Sequence, residues 1–316
     1  MSKYISLNYE KMRPSNFYLK AQKNIKKTYI NINKRNGFKL NYHCPICKSR
    51  SVDFFFKNEN NKLLKCSVCK VGFLRKFAKD LNDIYNVKSY IYKAKESYLK
   101  NENYRKKRFA EERLNLIKKF TKKSKNYTLF DVGCGTGWFL NSAKKNYEIL
   151  GQEFSTSLAE FVSKKIGCTI YNEKLANIKL KKKIDVITCF DVVEHLLNPE
   201  ELFKFASENL KKNGILVVFT PNLDSICFNY LKSKSQLFCA DHLYYFNLGS
   251  LEYLGKKHNL KNIYYSTNGT DIFDILSYKE SLNKIKIKNK NYFCNDVQKE
   301  IDENMMANHL RIIFKK

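Results

Sequence analysis

The stretch from Asp131 to Phe139, DVGCGTGWF, decides the fold that we expect for this chain. An apolar run ends at Asp131 and leads into three glycines, Gly133, Gly135 and Gly137, before a helical pattern begins. Glycines suit these positions because the backbone must turn tightly and approach a ligand with no side chain in between. The stretch therefore predicts a strand, a tight turn and a helix, with a ligand bound at the turn.

One acidic residue, Glu153, strengthens this interpretation. It closes the next predicted strand in GQEFS, 20 residues after Gly133, and a carboxylate at that place can accept both hydroxyl groups of a ribose. A dinucleotide-binding enzyme shares these features, but its fingerprint has Gly or Ala at the sixth position of the motif. Here that position is Trp138. The pattern therefore favours a nucleoside ligand that is smaller than a dinucleotide.

Strands and helices alternate after Lys125, which is typical of a parallel sheet with crossover helices. Two central runs are almost continuously apolar, as expected for strands that are covered on both faces. Strands are predicted over residues 127–133, 147–154, 168–171, 183–190, 214–220, 262–268 and 310–314. The long connection between the last two strands is expected to form helices. We therefore assign residues 126–316 to one α/β domain.

Two CxxC pairs precede this domain, Cys44 with Cys47 and Cys66 with Cys69, and 18 residues separate them. Two such pairs supply four thiolates, the ligand set of a closed structural Zn²⁺ site. A redox function for one pair is disfavoured because a second, matching pair is present. Lysine follows the second cysteine of each pair, where such ribbons usually carry glycine. Residues 41–77 are therefore predicted to form a zinc ribbon of short strands.

The formal net charge is +29, and the basic excess lies in the front of the chain. Residues 1–126 hold 33 of the 59 Lys+Arg residues but only 9 of the 30 Asp+Glu residues. Such a field attracts nucleic acid, anionic lipid or phosphorylated substrates, although a composition skewed toward Lys, Asn and Ile accounts for it equally well. We interpret residues 1–40 as a basic N-terminal extension and residues 78–125 as a helical linker on the substrate side.

The chain shows no export signal, because charged or amide residues interrupt its first thirty positions every few residues. No stretch approaches the roughly 18 apolar residues of a membrane span. Ten cysteines without an export signal are better interpreted as thiols and metal ligands than as disulfides. The sequence therefore predicts a cytoplasmic protein without a membrane span.

Several motifs together resemble those of class I S-adenosylmethionine-dependent methyltransferases of the methyltransferase-23 type. DVGCGTG, the acid of GQEF and CFDVVEHLLNPEELF are similar to motifs I, II and IV of that class. Further along, PNLDS and DHLYYF resemble segments that lie near the acceptor pocket of zinc-ribbon sugar methyltransferases. The resemblance covers residues 42–268. It implies a Rossmann-like, seven-stranded α/β sheet whose strand 7 is antiparallel, behind an N-terminal zinc ribbon.

The same resemblance implies a set of residues that bind the cofactor, S-adenosylmethionine. Asp131 and the three glycines of the turn would hold its methionine part, and Glu153 would hold its ribose. Two further residues would border the cofactor after the fourth strand. The complete set is Asp131, Gly133, Gly135, Gly137, Glu153, Phe190 and Asp191.

Methyl transfer from a sulfonium is a direct displacement, so an acceptor hydroxyl needs a base that removes its proton. His242 is the first candidate and His195 the second, and a carboxylate that can orient an imidazole, Asp241 or Glu194, precedes each of them. By the resemblance, His242 faces the substrate. For His195, a structural part in the helix that follows is an equal alternative.

The resemblance also implies that Tyr244, Tyr245 and Phe246 form an apolar wall for the acceptor, although aromatic residues so placed are also ordinary core residues. We expect a small-molecule acceptor, namely a hydroxyl of a sugar, a nucleotide-linked sugar or a glycan precursor. Oxygen, with nitrogen as the alternative, is preferred to carbon because ribbon-bearing sugar C-methyltransferases carry a further C-terminal domain, and this sequence ends at Lys316. The alternative is an RNA methyltransferase whose ribbon and basic front half bind nucleic acid. A non-catalytic binding module is the third interpretation.

Overall fold

The computed structural model describes residues 9, 17–80, 102–121 and 127–316. The described residues form two compact units. Unit 1 takes those of Met1–Ile84, Thr220–Leu251 and Tyr265–Arg311, and unit 2 takes those of Tyr85–Phe219, Glu252–Tyr264 and Ile312–Lys316. The four-part division inferred from the sequence stays a prediction. Residues 81–101 and 122–125 of its helical linker lie outside the described residues, as do residues 1–8 and 10–16 of its N-terminal extension.

Ten α-helices and thirteen strands, with one short π-helix and three short 3-10 helices, form the regular structure of the described residues. The strands are β1 Phe38–Leu40, β2 Val52–Lys57, β3 Lys62–Cys66, β4 Gly72–Leu74, β5 Lys76–Ala78, β6 Thr128–Val132, β7 Glu148–Gln152, β8 Ile170–Tyr171, β9 Ile184–Phe190, β10 Leu210–Pro221, β11 Tyr244–Tyr245, β12 Lys261–Asn268 and β13 His309–Lys315. The helices are α1 Phe17–Lys34, α2 Glu102–Arg105, α3 Glu111–Phe120, α4 Trp138–Ala143, α5 Thr156–Ile166, α6 Glu200–Asn209, α7 Ile226–Leu231, α8 Leu248–Lys257, α9 Asp271–Asn283 and α10 Lys290–Glu303. None of the helices in these described ranges has the length and apolarity needed to cross a membrane.

Seven strands form one mixed sheet in the order β12, β13, β10, β9, β6, β7, β8. β6 lies parallel to β7 and β9, and β10 lies parallel to β9. β13 runs against β10, because the Lys316 N–H donates to the Gly214 carbonyl oxygen (3.0 Å) at one end of the pair. At the other end the Asn222 N–H donates to the Asn308 carbonyl oxygen (2.8 Å). The predicted seven-stranded sheet with an antiparallel last strand is therefore confirmed.

The core of unit 2 surrounds the middle of this sheet. β9 and the stretch from Ile215 to Phe219 of β10 are buried along almost their whole length, as central strands of a covered sheet must be. Leu114 and Ile117 of α3 pack into the same core. Helix α3 is therefore fixed to the sheet by the apolar stripe that the sequence shows at helical spacing.

A second, four-stranded sheet lies in unit 1 and has the order β11, β4, β3, β2. β2, β3 and β4 are antiparallel and carry the ribbon, with β2 and β3 at the alternating runs between the cysteine pairs. The fourth strand, Tyr244–Tyr245, comes from a distant part of the chain and pairs with β4. The tyrosine segment is therefore part of the ribbon sheet, which the sequence did not predict.

Helices α9 and α10 fill the long connection between β12 and β13, as expected from its length. Asp271, at the start of α9, is fully buried. Its carboxylate accepts the backbone N–H groups of Cys227 (3.1 Å) and Asn308 (2.8 Å). Burial raises the pKa of Asp271 to about 6, although these N–H bonds act in the opposite direction. Buried polar bonds therefore hold α9 in unit 1.

Gly137 and Gly167 allow steric strain and backbone strain to be separated in unit 2. Both have positive φ, 74° and 73°. A Cβ on Gly137 would lie 2.4 Å from Ile166 Cδ1, whereas one on Gly167 would have no heavy atom within 4 Å. We expect Gly167→Ala to lower the free energy of unfolding by about 1 kcal/mol, from the left-handed backbone alone. Gly137→Ala should lower it by about 2–4 kcal/mol, because Ile166 must also move.

Chemical denaturation of both variants without cofactor measures the two losses. Equal losses would contradict the steric part of the argument.

Candidate active site

The glycine turn connects β6 to α4 in unit 2, at the carboxyl end of the strand. Gly135 has φ 56°, and a Cβ placed on it would meet no heavy atom within 4 Å. On Gly133 the same atom would lie 2.4 Å from Val192 Cγ2. The turn therefore packs against the protein at Gly133 and leaves the backbone of Gly135 open to a ligand.

Glu153 follows β7 directly and lies beside this turn. One of its carboxylate oxygens accepts the Gly135 N–H (2.9 Å), and the other accepts the Ser155 N–H (2.8 Å). Burial raises the pKa of Glu153, and these backbone N–H bonds act against that rise. Each carboxylate oxygen can accept a second hydrogen bond. The side chain is therefore held in place and can still accept the hydroxyls of a ribose.

Asp131 is the fourth residue of β6 and is buried. The Thr188 hydroxyl donates to its carboxylate (2.6 Å). Burial raises the pKa of Asp131 to about 7, while the Thr188 hydroxyl and the charge of Arg113 oppose the rise. A cation brought next to this carboxylate would favour its ionised form. A cationic ligand group beside Asp131 would therefore interact with an ionised, buried carboxylate.

Phe190 and Asp191 lie at the end of β9. The Phe190 ring contacts the rings of Phe139 and Phe219, each with its centroid 4.9 Å away. Asp191 has φ 58°, a left-handed conformation that aspartate tolerates better than most residues other than glycine. The chain therefore bends sharply after a buried aromatic cluster, and the Asp191 carboxylate is partly exposed.

Arg113 of α3 is a site residue that the sequence analysis missed. Its guanidinium lies over the rings of Phe190 (4.2 Å to the centroid) and Trp138 (5.0 Å). Its Nη2 donates to Asp191 Oδ2 (3.3 Å), and only 11% of the Arg113 side chain is exposed. Stacking and an ion pair together fix a permanent positive charge at the end of β9.

A sequence signal for this arginine did exist. Only eight of the 59 Lys+Arg residues are arginines, and three of them lie between Arg105 and Arg113. Arginine differs from lysine in its planar, bidentate guanidinium, which suits carboxylates and aromatic faces. The concentration of arginines in a lysine-rich chain indicates a place where that geometry is needed.

His195 also belongs to unit 2, in the short 3-10 helix Val193–His195 after β9. Its Nε2 lies 4.0 Å from Oε1 of Glu194, which is beyond direct hydrogen-bond distance. Glu194 is buried, whereas His195 is partly exposed. The imidazole therefore lies beside a buried carboxylate and remains accessible.

The four cysteine sulfurs of the ribbon come together in unit 1. Cys44 Sγ lies 3.5 Å from Cys69 Sγ, and Cys47 Sγ lies 3.5 Å from Cys66 Sγ. All four sulfurs lie within 4.8 Å of one another. A tetrahedral ion with Zn–S bonds of about 2.3 Å places its sulfurs about 3.8 Å apart. The donor set and its spacing therefore fit Zn²⁺.

The two cysteine pairs form matching turns. Lys48 and Lys70, which follow the second cysteine of each pair, have φ 62° and 63°, where glycine is usual. The Lys48 Nζ donates to the Pro45 carbonyl oxygen (2.6 Å), and the Lys70 Nζ donates to the Ser67 carbonyl oxygen (2.7 Å). Each lysine therefore bonds back to its own turn, which partly offsets the cost of the left-handed backbone.

His242, Tyr244 and Tyr245 lie in unit 1. A ring nitrogen of His242, a carboxylate oxygen of Asp241 and the Cys239 sulfur lie within 4.8 Å of one another. Both tyrosines are almost fully buried, with 2% and 1% exposed. The Tyr245 hydroxyl donates to a backbone carbonyl (3.0 Å). Both rings therefore occupy core positions of unit 1, and their contact with an acceptor stays a prediction.

Unit 2 holds all seven residues predicted to bind the cofactor, at the carboxyl ends of β6, β7 and β9. Ligands of open α/β sheets bind at these ends. His195 belongs to the same unit, while the four cysteines, His242 and both tyrosines belong to unit 1. The geometry thus matches a nucleoside site in unit 2 and a metal site in unit 1.

Comparison with known proteins identifies the fold family. A family model described as methyltransferase domain matches residues 102–265, just over half of the chain. The ubiquinone biosynthesis O-methyltransferase of Pelagibacter ubique is 34% identical over 129 residues, 34% of this chain and 50% of that protein. The enzyme of the same name from Leptothrix cholodnii is 30% identical over 120 residues, covering 35% and 51%. The chain thus spans about half the length of the curated relatives it matches.

Two solved structures are similar to parts of the chain. A S-adenosylmethionine-dependent methyltransferase from Archaeoglobus fulgidus is 20% identical and covers 69% of this chain and 99% of its own, with a TM-score of 0.46. DesVI from Streptomyces venezuelae is 25% identical and covers 36% of this chain and 50% of its own, with a TM-score of 0.33. The family match includes the glycine turn, Glu153 and Asp191. The chain therefore belongs to the methyltransferase domain family, as its motifs predicted.

Proposed function

We propose that this protein transfers the methyl group of S-adenosylmethionine to a hydroxyl oxygen of a small acceptor. The observation that carries the proposal is the pairing of the glycine turn with Glu153 in unit 2, where the Gly135 N–H already donates to the Glu153 carboxylate. We call this place, which would hold the methyl donor, the donor site. The curated relatives are named O-methyltransferases, which supports oxygen as the accepting atom. The resemblance to zinc-ribbon sugar methyltransferases supports a sugar, a nucleotide-linked sugar or a glycan precursor.

Three charged side chains of unit 2 match three groups of S-adenosylmethionine. We assign the ribose hydroxyls to Glu153, whose oxygens each have room for a second hydrogen bond. Asp131 is assigned the ammonium group, because its carboxylate is buried at the end of the strand that leads into the glycine turn, where a neighbouring cation would favour its ionised form. Arg113 is assigned the carboxylate, since its guanidinium is fixed and can bind two oxygens.

Removal of the acceptor proton is assigned to His242, with His195 as the second candidate. A base contributes only when it lies within hydrogen-bond reach of the proton that it removes. The carboxylate of Asp241 lies near the His242 ring and can orient it and favour its protonated form after transfer. Glu194 lies next to His195 in a similar way, with 4.0 Å between Oε1 of Glu194 and Nε2 of His195.

The four ribbon cysteines are proposed to hold a structural Zn²⁺. Four thiolates leave no open position for water, so the ion would stabilise the ribbon and take no part in methyl transfer. The cytoplasmic location stays a prediction of the sequence.

Glu153→Gln tests the donor site. The amide replaces one acceptor oxygen by an NH₂ group, which would face the N–H of Gly135 or of Ser155. We expect the affinity for S-adenosylmethionine to fall about 10-fold to 100-fold, measured by calorimetry. Glu148→Gln is the matched control, because Glu148 begins β7, the strand that Glu153 follows, and is exposed, bonded to Lys182. A loss of the same size in both variants would contradict the assignment.

Arg113→Ala tests the carboxylate assignment with two ligands. S-adenosylhomocysteine carries the amino-acid part, whereas 5′-methylthioadenosine lacks it. We expect the variant to bind S-adenosylhomocysteine about 10-fold more weakly, the value of one charge-assisted contact, and 5′-methylthioadenosine as the wild type does. Equal weakening of both ligands would mean that Arg113 acts only through the packing of Phe190 and Trp138.

His242→Ala and His195→Ala identify the base. We expect His242→Ala to lower kcat about 100-fold to 10,000-fold while the affinity for S-adenosylmethionine is kept. His195→Ala should have a smaller effect, and the reverse order would assign the base to His195. The assay follows labelled methyl groups from the cofactor into the small-molecule and RNA fractions of a cell extract. Label in RNA, with binding that weakens steeply with salt, would favour the RNA alternative.

A further inference from the structure

We propose that the zinc ribbon is the positioning element for His242, acting through strand β4, which fixes the segment from Leu243 to Phe246. This inference rests on the proposed function of His242 as the base. It concerns unit 1 alone, and it gives the ribbon a part in turnover beyond the stability of its own fold.

The first step leads from the cysteines to β4. The Lys70 N–H donates to the Cys66 carbonyl oxygen (3.1 Å), and the Cys66 N–H donates to the Val71 carbonyl oxygen (2.9 Å). Val71 is fully buried, and β4 begins at the next residue, Gly72. The turn that carries Cys66 and Cys69 therefore determines where β4 starts.

The second step leads from β4 to the tyrosine strand. Tyr244 is paired with Phe73, and Tyr245 is paired with Gly72. The Leu74 N–H also donates to the Leu243 carbonyl oxygen (3.0 Å). A strand of two residues is not stable by itself, so β11 depends on its hydrogen bonds to β4.

The third step concerns the other side of this segment. The Leu223 N–H donates to the Phe246 carbonyl oxygen (2.7 Å), and Asn222 forms an isolated bridge with Phe246. Residues 243–246 are therefore held between β4 and the chain that follows β10. His242 comes directly before this stretch, so its backbone position follows from both supports.

Side chains pack closely between β4 and β11. A Cβ on Gly72 would lie 3.1 Å from Tyr245 Cβ and 3.3 Å from Leu223 Cδ1. The Tyr245 ring is stacked on Phe228, with a centroid distance of 5.2 Å, and Phe56 contacts Phe228 from the ribbon (5.4 Å). A shift of β4 must therefore move Tyr245, three residues from His242.

The effect on catalysis follows from distance. Misplacement of a reacting group by about 1 Å costs about 100-fold in rate, and a base must lie within about 2.6–3.2 Å of its proton. A ribbon without its metal loses the ion that joins its two turns. We therefore expect removal of the metal to weaken the pairing of β11 with β4 within unit 1.

Gly72→Ala is the test, because its methyl group must push Tyr245 by a few tenths of an ångström. We expect kcat to fall about 10-fold, with unchanged zinc content and unchanged KM for S-adenosylmethionine. Gly249→Ala is the matched control, because a Cβ there would meet nothing closer than 3.9 Å. It should keep the wild-type kcat. Wild-type kcat in Gly72→Ala would overturn the proposal, and so would an equal loss in both variants.

Hydrogen exchange after removal of zinc gives a readout that does not depend on turnover. We expect the backbone amides of residues 243–246 and of Leu74 to lose protection, while those of β6 and β9 keep it. Protection that survives removal of the metal would overturn the proposal. If His242→Ala is fully active, the assignment of the base fails, and the exchange result still decides whether the ribbon positions the segment.

Discussion

The donor site depends on one half-buried carboxylate, that of Glu153, which accepts two backbone N–H groups. Glu153 would be costly to bury as an uncompensated charge, and the N–H groups of Gly135 and Ser155 compensate it. One of these groups belongs to the turn after β6 and the other to the chain after β7. The charge therefore ties the ends of two neighbouring strands together before a ligand arrives, which reduces the ordering that binding requires.

Much of this architecture could be predicted because its signals are local. The sheet follows from apolar runs of strand length, and the glycine turn follows from residues that lie within a few positions of one another. The cysteine pairs carry a ligand spacing that few other structures need. The two lysines after the pairs, Lys48 and Lys70, depart from the glycine rule, yet both adopt the left-handed backbone. At both positions a hydrogen bond from the lysine side chain to its own CxxC turn partly offsets the cost of the left-handed backbone. No sequence pattern indicates this hydrogen bond.

Other features were missed because they join distant stretches of the chain. Arg113 reaches the end of β9 only through the packing of α3, whose apolar side chains Leu114 and Ile117 lie in the core of unit 2. The tyrosines of DHLYYF suggest an acceptor wall, whereas β11 adds them to the ribbon sheet as buried residues. Pairing between strands so far apart in sequence depends on register and on burial, which composition and periodicity do not report.

The pairing of β4 with β11 also limits how such a chain can evolve. A zinc ribbon that made no contact with the rest of a protein could be gained or lost as an independent module. Here its removal would uncover the rings of Tyr244 and Tyr245 and leave the backbone of β11 without its neighbour. Gain or loss of the ribbon must therefore be accompanied by changes at a site far along the gene. The two stretches are expected to vary together among descendants of this protein.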